Sequence, residues 1–127
     1  MAAKSEKESA YHVRHCSEWI VRLGDGTEES RTRTQAAIDD LWAFTGEMFE
    51  ADSSERALID AGIVIDAMAL QPEWLKAVSD IASEATLALP RNDWMQRGGR
   101  SGRHSEHLGH LLSELQSMQR TFPGVTW

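Results

Sequence analysis

The sequence has few of the residues that usually define a compact site. Its 127 residues include one cysteine, Cys16, and three prolines. A single cysteine excludes an internal disulfide and a metal site of the Cys-x-x-Cys type. No stretch approaches the roughly 20 apolar residues of a membrane span, and the polar N-terminus is unlike a signal peptide. We therefore expect a cytoplasmic protein with no membrane partner.

Basic residues are also scarce, 13 against 20 acidic ones, so the formal net charge is −7. Neutralising the phosphates of a nucleic acid requires a basic surface, so we expect no nucleic-acid partner. A chain of this length is expected to form a single domain, residues 1–127.

Apolar residues recur at helical steps almost throughout the chain. The stripe of Val13, Cys16, Ile20 and Leu23 predicts a first helix that ends at Gly24. A second helix is predicted over residues 27–50. Its cap candidates are Asp25, Gly26 and Thr27, and Asp25 with Glu28 three residues later fits a capping pair. Its apolar face comprises Ile38, Leu41, Trp42, Thr45, Met48 and Phe49. The short link makes the two helices an antiparallel pair.

The middle of the chain predicts shorter elements. Residues 52–54 are expected to form a break with a new N-cap, followed by a helical turn over residues 55–60. Residues 62–70 are expected to form an irregular, covered connection. Pro72 suits the first turn of a third helix. The residues expected to face inward from that helix are Leu75, Val78, Ile81, Ala82 and Ala85.

The last part of the chain predicts a loop and one more helix. Glycines and arginines dominate residues 91–103, and a leucine-rich stripe follows over residues 104–120. No segment alternates as a strand would, so the predicted fold class is an all-α helical bundle.

Helical bundles commonly hold di-iron sites built from Glu-x-x-His pairs, because this spacing directs both side chains to one metal pair. No glutamate in the chain has a histidine three residues later. The nearest match begins at Glu8, where Tyr11 stands in the place of the histidine. Glu8, His12 and His15 share a helical face, and a residual metal-binding oxygenase remains an alternative. The favoured interpretation is a polar stripe, with no metal ligand and no catalytic residue.

Two further patterns favour structural interpretations. His104, His107 and His110 recur every three residues and cannot all converge on one zinc ion, so caps or exposed positions are expected. Cys16 lies on an apolar stripe, which predicts a packed small residue and not a reactive thiolate.

The segment from residue 97 to residue 104 is strongly cationic. Arg97, Arg100 and Arg103 alternate with glycines and lead to His104 at the predicted start of the last helix. Such residues can hold a phosphate or a carboxylate, although the spacing is not that of a P-loop. The interpretations, in order of preference, are pairing with acidic residues of a partner subunit, a solvated loop, and binding of a phosphate or CoA ester.

Five sequence blocks occur in an order typical of one family. They cover residues 11–14, 19–27, 41–49, 99–109 and 118–127. On these blocks, nearly the whole chain resembles the C-terminal half of the PaaC subunits of bacterial 1,2-phenylacetyl-CoA epoxidases, which act in aerobic phenylacetate degradation.

The resemblance implies a ferritin-like fold, here a partial bundle without a di-iron site. It also implies a non-catalytic subunit that supports the catalytic oxygenase subunit, which holds the iron and epoxidises the aromatic ring. No cofactor is then expected in this chain, and Glu8, Tyr11 and His12 would be the remnant of a ligand position.

Members of that family are longer, so helices that would face this chain are missing from it. Each Å² of buried apolar surface contributes about 25 cal/mol, and uncovered stripes forfeit that stabilisation. We therefore expect the chain to self-associate through exposed apolar faces, to pair with another polypeptide, or to be poorly stable alone.

Overall fold

The computed structural model describes residues 2–91 and 94–126. Within these ranges the chain is helical or irregular and contains no strand, which confirms the all-α prediction. The α-helices are α1 (Ala2–Gly24), α2 (Glu28–Leu41), α3 (Ser53–Asp60), α4 (Gln71–Glu84), α5 (His107–Leu115) and α6 (Ser117–Thr121). Short 3-10 turns occupy Trp42–Phe44, Gly46–Phe49, Ala67–Leu70 and Gly99–Ser101. None of the described helices is both long and apolar enough to cross a bilayer.

The chain divides into two compact units, Met1–Gln96 and Arg97–Trp127. The first contains α1 to α4, and the second contains α5 and α6. The single domain over residues 1–127 stays a prediction.

Helix α1 packs against both α2 and α4, and it ends at Gly24 as the sequence predicts. Of the three predicted cap candidates of α2, Thr27 is the N-cap, and its hydroxyl accepts a hydrogen bond from the Ser30 amide at 3.2 Å. The predicted capping pair of Asp25 with Glu28 is wrong, because Glu28 is the first residue of α2 and Asp25 lies two residues before the cap. The Asp25 amide instead donates to the Val21 carbonyl at 2.9 Å, at the end of α1.

Helix α2 ends at Leu41, and the prediction that it continues to residue 50 is wrong. The Thr45 amide and hydroxyl both donate to the Trp42 carbonyl, at 3.0 and 2.8 Å, which closes a 3-10 turn in place of an α-turn. The tighter turns carry the aromatic side chains onto α4. Trp42 stacks on Trp74 with ring centroids 5.8 Å apart, and Phe49 meets Trp74 edge-on at 5.3 Å.

The N-cap predicted within residues 52–54 is Asp52, and α3 begins at Ser53, two residues before its predicted start. The Asp52 carboxylate accepts from the amides of Ser54 and Glu55, at 2.8 and 2.9 Å, and the Glu55 carboxylate accepts from the Asp52 amide. This arrangement satisfies amides that the first turn of a helix leaves without partners.

The connection after α3 is exposed, so the prediction that residues 62–70 are covered is wrong. Ile63 and Ile65 are 71% and 70% exposed. The segment closes on itself, because the Leu58 carbonyl accepts from the Ile63 amide and Arg56 pairs with Asp66 at 3.1 Å. Local polar contacts fix its shape and leave its apolar side chains uncovered.

The small core lies where α4 ends. Ala82, Ala85 and Leu87 are buried there, with Ile20, Val21, Ile38 and Leu89 packed around them. Of the residues expected to face inward from α4, Ala82 and Ala85 are buried, and Val78 and Ile81 are half-buried. Leu75 is exposed, so its predicted inward direction is wrong. The core is therefore concentrated at one end of α4.

The end of α4 is a Schellman turn built on a threonine. Thr86 has a φ of 58°, and the amides of Thr86 and Leu87 donate back to Ser83 and Ala82 at 3.2 and 2.9 Å. The Thr86 hydroxyl also donates to the Gly24 carbonyl at 3.2 Å, which ties the turn to the end of α1. This long-range hydrogen bond offsets part of the conformational free energy that Thr86, a β-branched residue, loses by adopting a left-handed backbone conformation.

Two further hydrogen bonds join the segment after this turn to α2. The Gln35 side chain donates to the Ala88 carbonyl at 2.8 Å and accepts from the Ala88 amide at 2.9 Å. The Gln35 side chain thus forms hydrogen bonds with both the amide and the carbonyl of Ala88, which follows α4 in the chain. The ends of α1 and α4 and the middle of α2 are held together by these bonds.

In the second unit, the predicted helix over residues 104–120 is wrong at its start and in its continuity. Helix α5 begins at His107, after the left-handed Gly102, and Gln116 separates α5 from α6. At Gln116 the backbone has φ −93° and ψ 0°, away from ideal helical values, although its amide still donates to the Leu112 carbonyl at 3.0 Å. The apolar side chains of Leu111, Leu112, Leu115 and Met118 are all exposed.

We predict that Gly24→Ala lowers the free energy of unfolding by about 1–3 kcal/mol, because a tightly packed site must move to admit a methyl group. A Cβ at Gly24 would lie against the Ala85 carbonyl oxygen and 2.9 Å from both Ala85 Cβ and Leu87 Cδ1. Urea unfolding followed by circular dichroism measures the change. Gly109→Ala is the matched control, since no described atom lies within 4 Å of its Cβ position, and equal losses in both variants would contradict the prediction.

We also predict that Gln35→Ala lowers the free energy of unfolding by about 1–2 kcal/mol, because two net hydrogen bonds are lost and water replaces them in part. Gln119→Ala, at an exposed position of α6, serves as the control and is expected to change stability by less than about 0.5 kcal/mol. The same urea titration compares the two. An unchanged urea midpoint in Gln35→Ala would show that the two hydrogen bonds to Ala88 contribute nothing to stability.

Candidate functional site

The predicted remnant of a ligand position lies on the exposed surface of α1. Glu8, Tyr11, His12 and His15 are all exposed. Lys4, one turn earlier, lies 3.9 Å from the Glu8 carboxylate, and both side chains are largely in solvent. An exposed pair of this kind contributes little to stability.

Aromatic contacts organise this face of α1. The Tyr11 ring stacks on His15 with centroids 5.8 Å apart, and His15 meets Trp19 edge-on at 6.4 Å. The guanidinium groups of Arg14 and Arg22 lie 5.7 Å from the ring centroids of Tyr11 and Trp19. In the described part of the chain, no three His, Cys, Asp or Glu side chains are grouped so as to hold a metal ion.

The predicted cationic loop forms a closed turn. The Gly98 carbonyl accepts from the amides of Ser101 and Arg103, at 3.0 and 2.9 Å, and Gly98 and Gly102 are both left-handed. The Arg103 stem lies against Gly98, where an added Cβ would be 2.9 Å from Arg103 Cδ. Arg97 and Arg100 each already have an interaction partner. Contact of Arg97, Arg100, Arg103 and His104 with a partner or a phosphate stays a prediction.

The histidines after this loop are also exposed. His104 lies before α5, His107 is its first residue, and His110 lies one turn later. The expectation of exposed or helix-end positions agrees with this placement.

One apolar concave feature of the described part of the first unit was not predicted from the sequence. It is a groove of about 400 Å³ between α1, α2 and α4, which we call the apolar groove. Its walls are Cys16, Ser17, Ile20, Thr34, Ala37, Ile38, Leu41, Trp42, Thr45, Trp74, Val78, Ile81, Ala82 and Leu89. The stacked Trp42 and Trp74 both belong to this lining.

The hydroxyl groups that line the apolar groove already form hydrogen bonds within the chain. The hydroxyls of Ser17, Thr34 and Thr45 donate to backbone carbonyls of Val13, Ser30 and Trp42 at 2.7, 2.7 and 2.8 Å. In the described residues, no buried side-chain polar atom lacks a hydrogen-bond partner. The apolar groove therefore offers shape and apolar surface, with little to orient a polar ligand.

Cys16 lies at the edge of the apolar groove, and its thiol is free and exposed. The prediction that it is a packed small residue is wrong. Its helical stripe does face α2 and α4, but the groove between the helices is left open. An apolar stripe predicts the direction in which a side chain points, and it does not predict that another element covers it.

Over its whole length, residues 1–127, the chain matches the PaaA/PaaC family of phenylacetic acid catabolic proteins. The chain belongs to this family. It is also 42% identical over 127 residues to the C subunit (PaaC) of 1,2-phenylacetyl-CoA epoxidase from Escherichia coli (strain K12). The alignment covers 100% of the chain and 51% of that relative, so the chain spans about half the length of the PaaC protein it matches.

Family membership confirms two predictions made from the sequence. The resemblance to PaaC is confirmed, and so is the fold class, an all-α partial bundle of the ferritin-like type. The exposed apolar side chains of both units fit a sequence related to a longer protein.

One sequence signal for the apolar groove was available. Small residues lie beside the larger ones on both helices, as Cys16 and Ser17 do on α1, and Thr34 and Ala37 are three residues apart on α2. Small side chains on facing helices leave room for a further element. The predicted stripes were defined by their large apolar members, so they did not include this pattern.

We predict that the Cys16 thiol of the isolated chain reacts with iodoacetamide at nearly the rate of the urea-unfolded chain. A buried thiol would react only when the surrounding structure unfolds locally, so its reaction rate would be lower by orders of magnitude. Mass spectrometry of the single-cysteine chain against time gives both rates. Strong protection in the folded, monomeric chain would contradict the open groove.

Proposed function

We propose that this chain is a non-catalytic structural component of a phenylacetyl-CoA epoxidase, where it supports the di-iron oxygenase subunit during aerobic phenylacetate catabolism. The observation that carries the proposal is the 42% identity, along the whole chain, to the PaaC subunit of such an enzyme. In this proposal the protein works in the cytoplasm, and its partner is the catalytic subunit.

The placement of the α1 residues supports a non-catalytic role. A di-iron site requires carboxylate and imidazole side chains that project inward from facing helices. Here Glu8, Tyr11 and His12 face solvent, and Glu8 pairs with Lys4. We therefore assign the iron to the partner oxygenase subunit and no cofactor to this chain.

The exposed surface supports a role in protein association. Trp19, Phe44 and Trp94 are exposed among many large apolar side chains in the first unit. Exposed aromatic residues are enriched at protein interfaces, and contiguous apolar patches mark association sites on soluble proteins. The α1 face with Tyr11, Trp19, Arg14 and Arg22 combines aromatic and guanidinium groups, the types that dominate interface hot spots.

We expect the chain to co-elute with the catalytic oxygenase subunit when the two are co-expressed and passed over a size-exclusion column at low salt. Full-length Escherichia coli PaaC serves as the positive control. If that control binds and the chain does not, the structural role is contradicted.

Metal analysis of the purified chain provides a second readout of the same proposal. A non-catalytic chain should contain far less than one iron per polypeptide. Stoichiometric iron that is lost in Glu8→Gln and His12→Gln variants would instead establish the alternative, a residual metal-binding oxygenase.

A further inference from the structure

We propose that residues 63–65 form the surface through which this chain binds the oxygenase subunit, and that the partner holds them in an apolar socket bordered by lysine or arginine. These residues, Ile63, Val64 and Ile65, lie between α3 and the 3-10 turn that precedes α4. We call them the apolar knob. The inference rests on the function proposed above and deepens it, because it assigns the interaction to one surface of the chain.

The apolar knob places three consecutive apolar side chains in solvent. Ile63 and Ile65 are 71% and 70% exposed, and Val64 is also exposed. Single apolar residues on a protein surface are common, but an exposed run of three in an ordered connection is unusual unless it has a function. Leu58 and Met68 are exposed as well, and they add apolar surface before and after the run.

Backbone hydrogen bonds fix the start of the apolar knob. Gly62 has a φ of 70°, a left-handed conformation that is common just after a helix, and its amide donates to the Ile59 carbonyl at 2.9 Å. The amides of Ile63 and Val64 both donate to the Leu58 carbonyl, at 3.0 and 3.4 Å. The chain therefore turns sharply after α3, and the side chains that follow the turn lie in solvent.

Asp66 fixes the other end of the apolar knob. Its carboxylate pairs with Arg56 of α3 at 3.1 Å and accepts a hydrogen bond from the Met68 amide at 3.0 Å. Polar contacts thus hold both ends, and the three β-branched side chains between them have few rotamers of their own. A surface that is ordered before binding loses less conformational entropy in a complex, which favours its use as an interface anchor.

The sequence around the apolar knob contains most of the negative charge of the chain. Residues 47–73 include seven acidic side chains and one basic side chain, Arg56, whereas the formal net charge of the whole chain is −7. Asp60, the last residue of α3, lies three residues before Ile63 and is exposed. A partner surface that complements this segment combines an apolar socket with basic side chains at its rim.

The same charge disfavours other occupants. A second copy of the chain would bring an equally acidic segment against the apolar knob, and like charges placed together at an interface are unfavourable. Nucleic acids and anionic lipid surfaces are negative themselves, so they would be repelled. A protein partner with a basic rim fits the segment best, and the oxygenase subunit is the protein partner proposed above.

The first experiment compares two equally exposed apolar positions. Ile65 in the apolar knob and Leu115 in α5 are both 70% exposed. We expect Ile65→Asp to weaken binding of the oxygenase subunit by about tenfold or more, because it places a carboxylate in an apolar socket. Leu115→Asp introduces the same group outside the knob and should change the affinity little. Surface plasmon resonance with immobilised oxygenase subunit gives the dissociation constants, and urea unfolding checks that both variants are folded.

The second experiment reverses one charge beside the apolar knob. At the C-terminal end of α3 the negative Asp60 interacts unfavourably with the helix dipole, so Asp60→Lys should not destabilise the chain. Next to a basic rim it should weaken binding of the oxygenase subunit by about threefold or more, with a smaller effect at high salt. Glu6→Lys makes the same charge change on α1 and should alter the affinity little.

These measurements distinguish the surface from the function. A loss of affinity specific to Ile65→Asp and Asp60→Lys supports the proposal. If the unchanged chain binds and both variants bind equally well, the proposed function stands and the apolar knob is overturned as its contact surface. Equal losses in the control variants overturn it too, whereas failure of the unchanged chain to bind contradicts the function itself.

One further titration tests the identity of the occupant. The half of Escherichia coli PaaC that the chain does not match replaces the oxygenase subunit as the immobilised protein. We expect Ile65→Asp and the unchanged chain to behave alike towards that half, which supports the oxygenase subunit as the occupant. Binding of that half that is lost in Ile65→Asp overturns the proposed occupant, because the apolar knob would then contact a polypeptide of its own family.

Discussion

The close approach of Gly24 to Ala85 holds the first unit together. The end of α1 can reach the turn after α4 only because Gly24 has no side chain, and a methyl group there would meet the Ala85 carbonyl. Around this contact, Thr86 bonds to the Gly24 carbonyl and Gln35 clamps Ala88. Three helices are thus joined at one place, and the buried core lies beside it.

Away from this junction, the same helices diverge into the apolar groove. The core is small, and two tryptophans and several aliphatic side chains remain on open walls. Since folded domains are stable by only about 5–15 kcal/mol, uncovered surface of this extent is a substantial fraction of what a bundle can gain. The burial of apolar helix faces is therefore a physical requirement that the described residues of the first unit meet only in part.

The face of α1 that carries Tyr11, His15 and Trp19 shows that the same helical spacing can bring different kinds of side chain into contact. Residues three and four apart lie side by side on a helix, which is why Glu-x-x-His pairs can bind metals. With tyrosine at position 11, the same spacing produces a series of ring contacts from Tyr11 through His15 to Trp19. On this face, residues three and four apart thus form aromatic contacts along the surface of α1.

The sequence by itself determined the all-α class, the ends of α1 and α3, and the direction in which most apolar stripes point. These features depend on local periodicity and on caps such as Asp52, whose bonds span only a few residues. The early end of α2 at Leu41, the exposed thiol of Cys16 and the apolar groove were decided by tertiary structure. The packing of α1, α2 and α4 around the groove depends on contacts between residues 53 and 62 positions apart, as in Gln35 with Ala88 and Thr86 with Gly24. A periodic pattern shows which face of a helix is apolar, but only the packing of distant segments shows whether anything covers it.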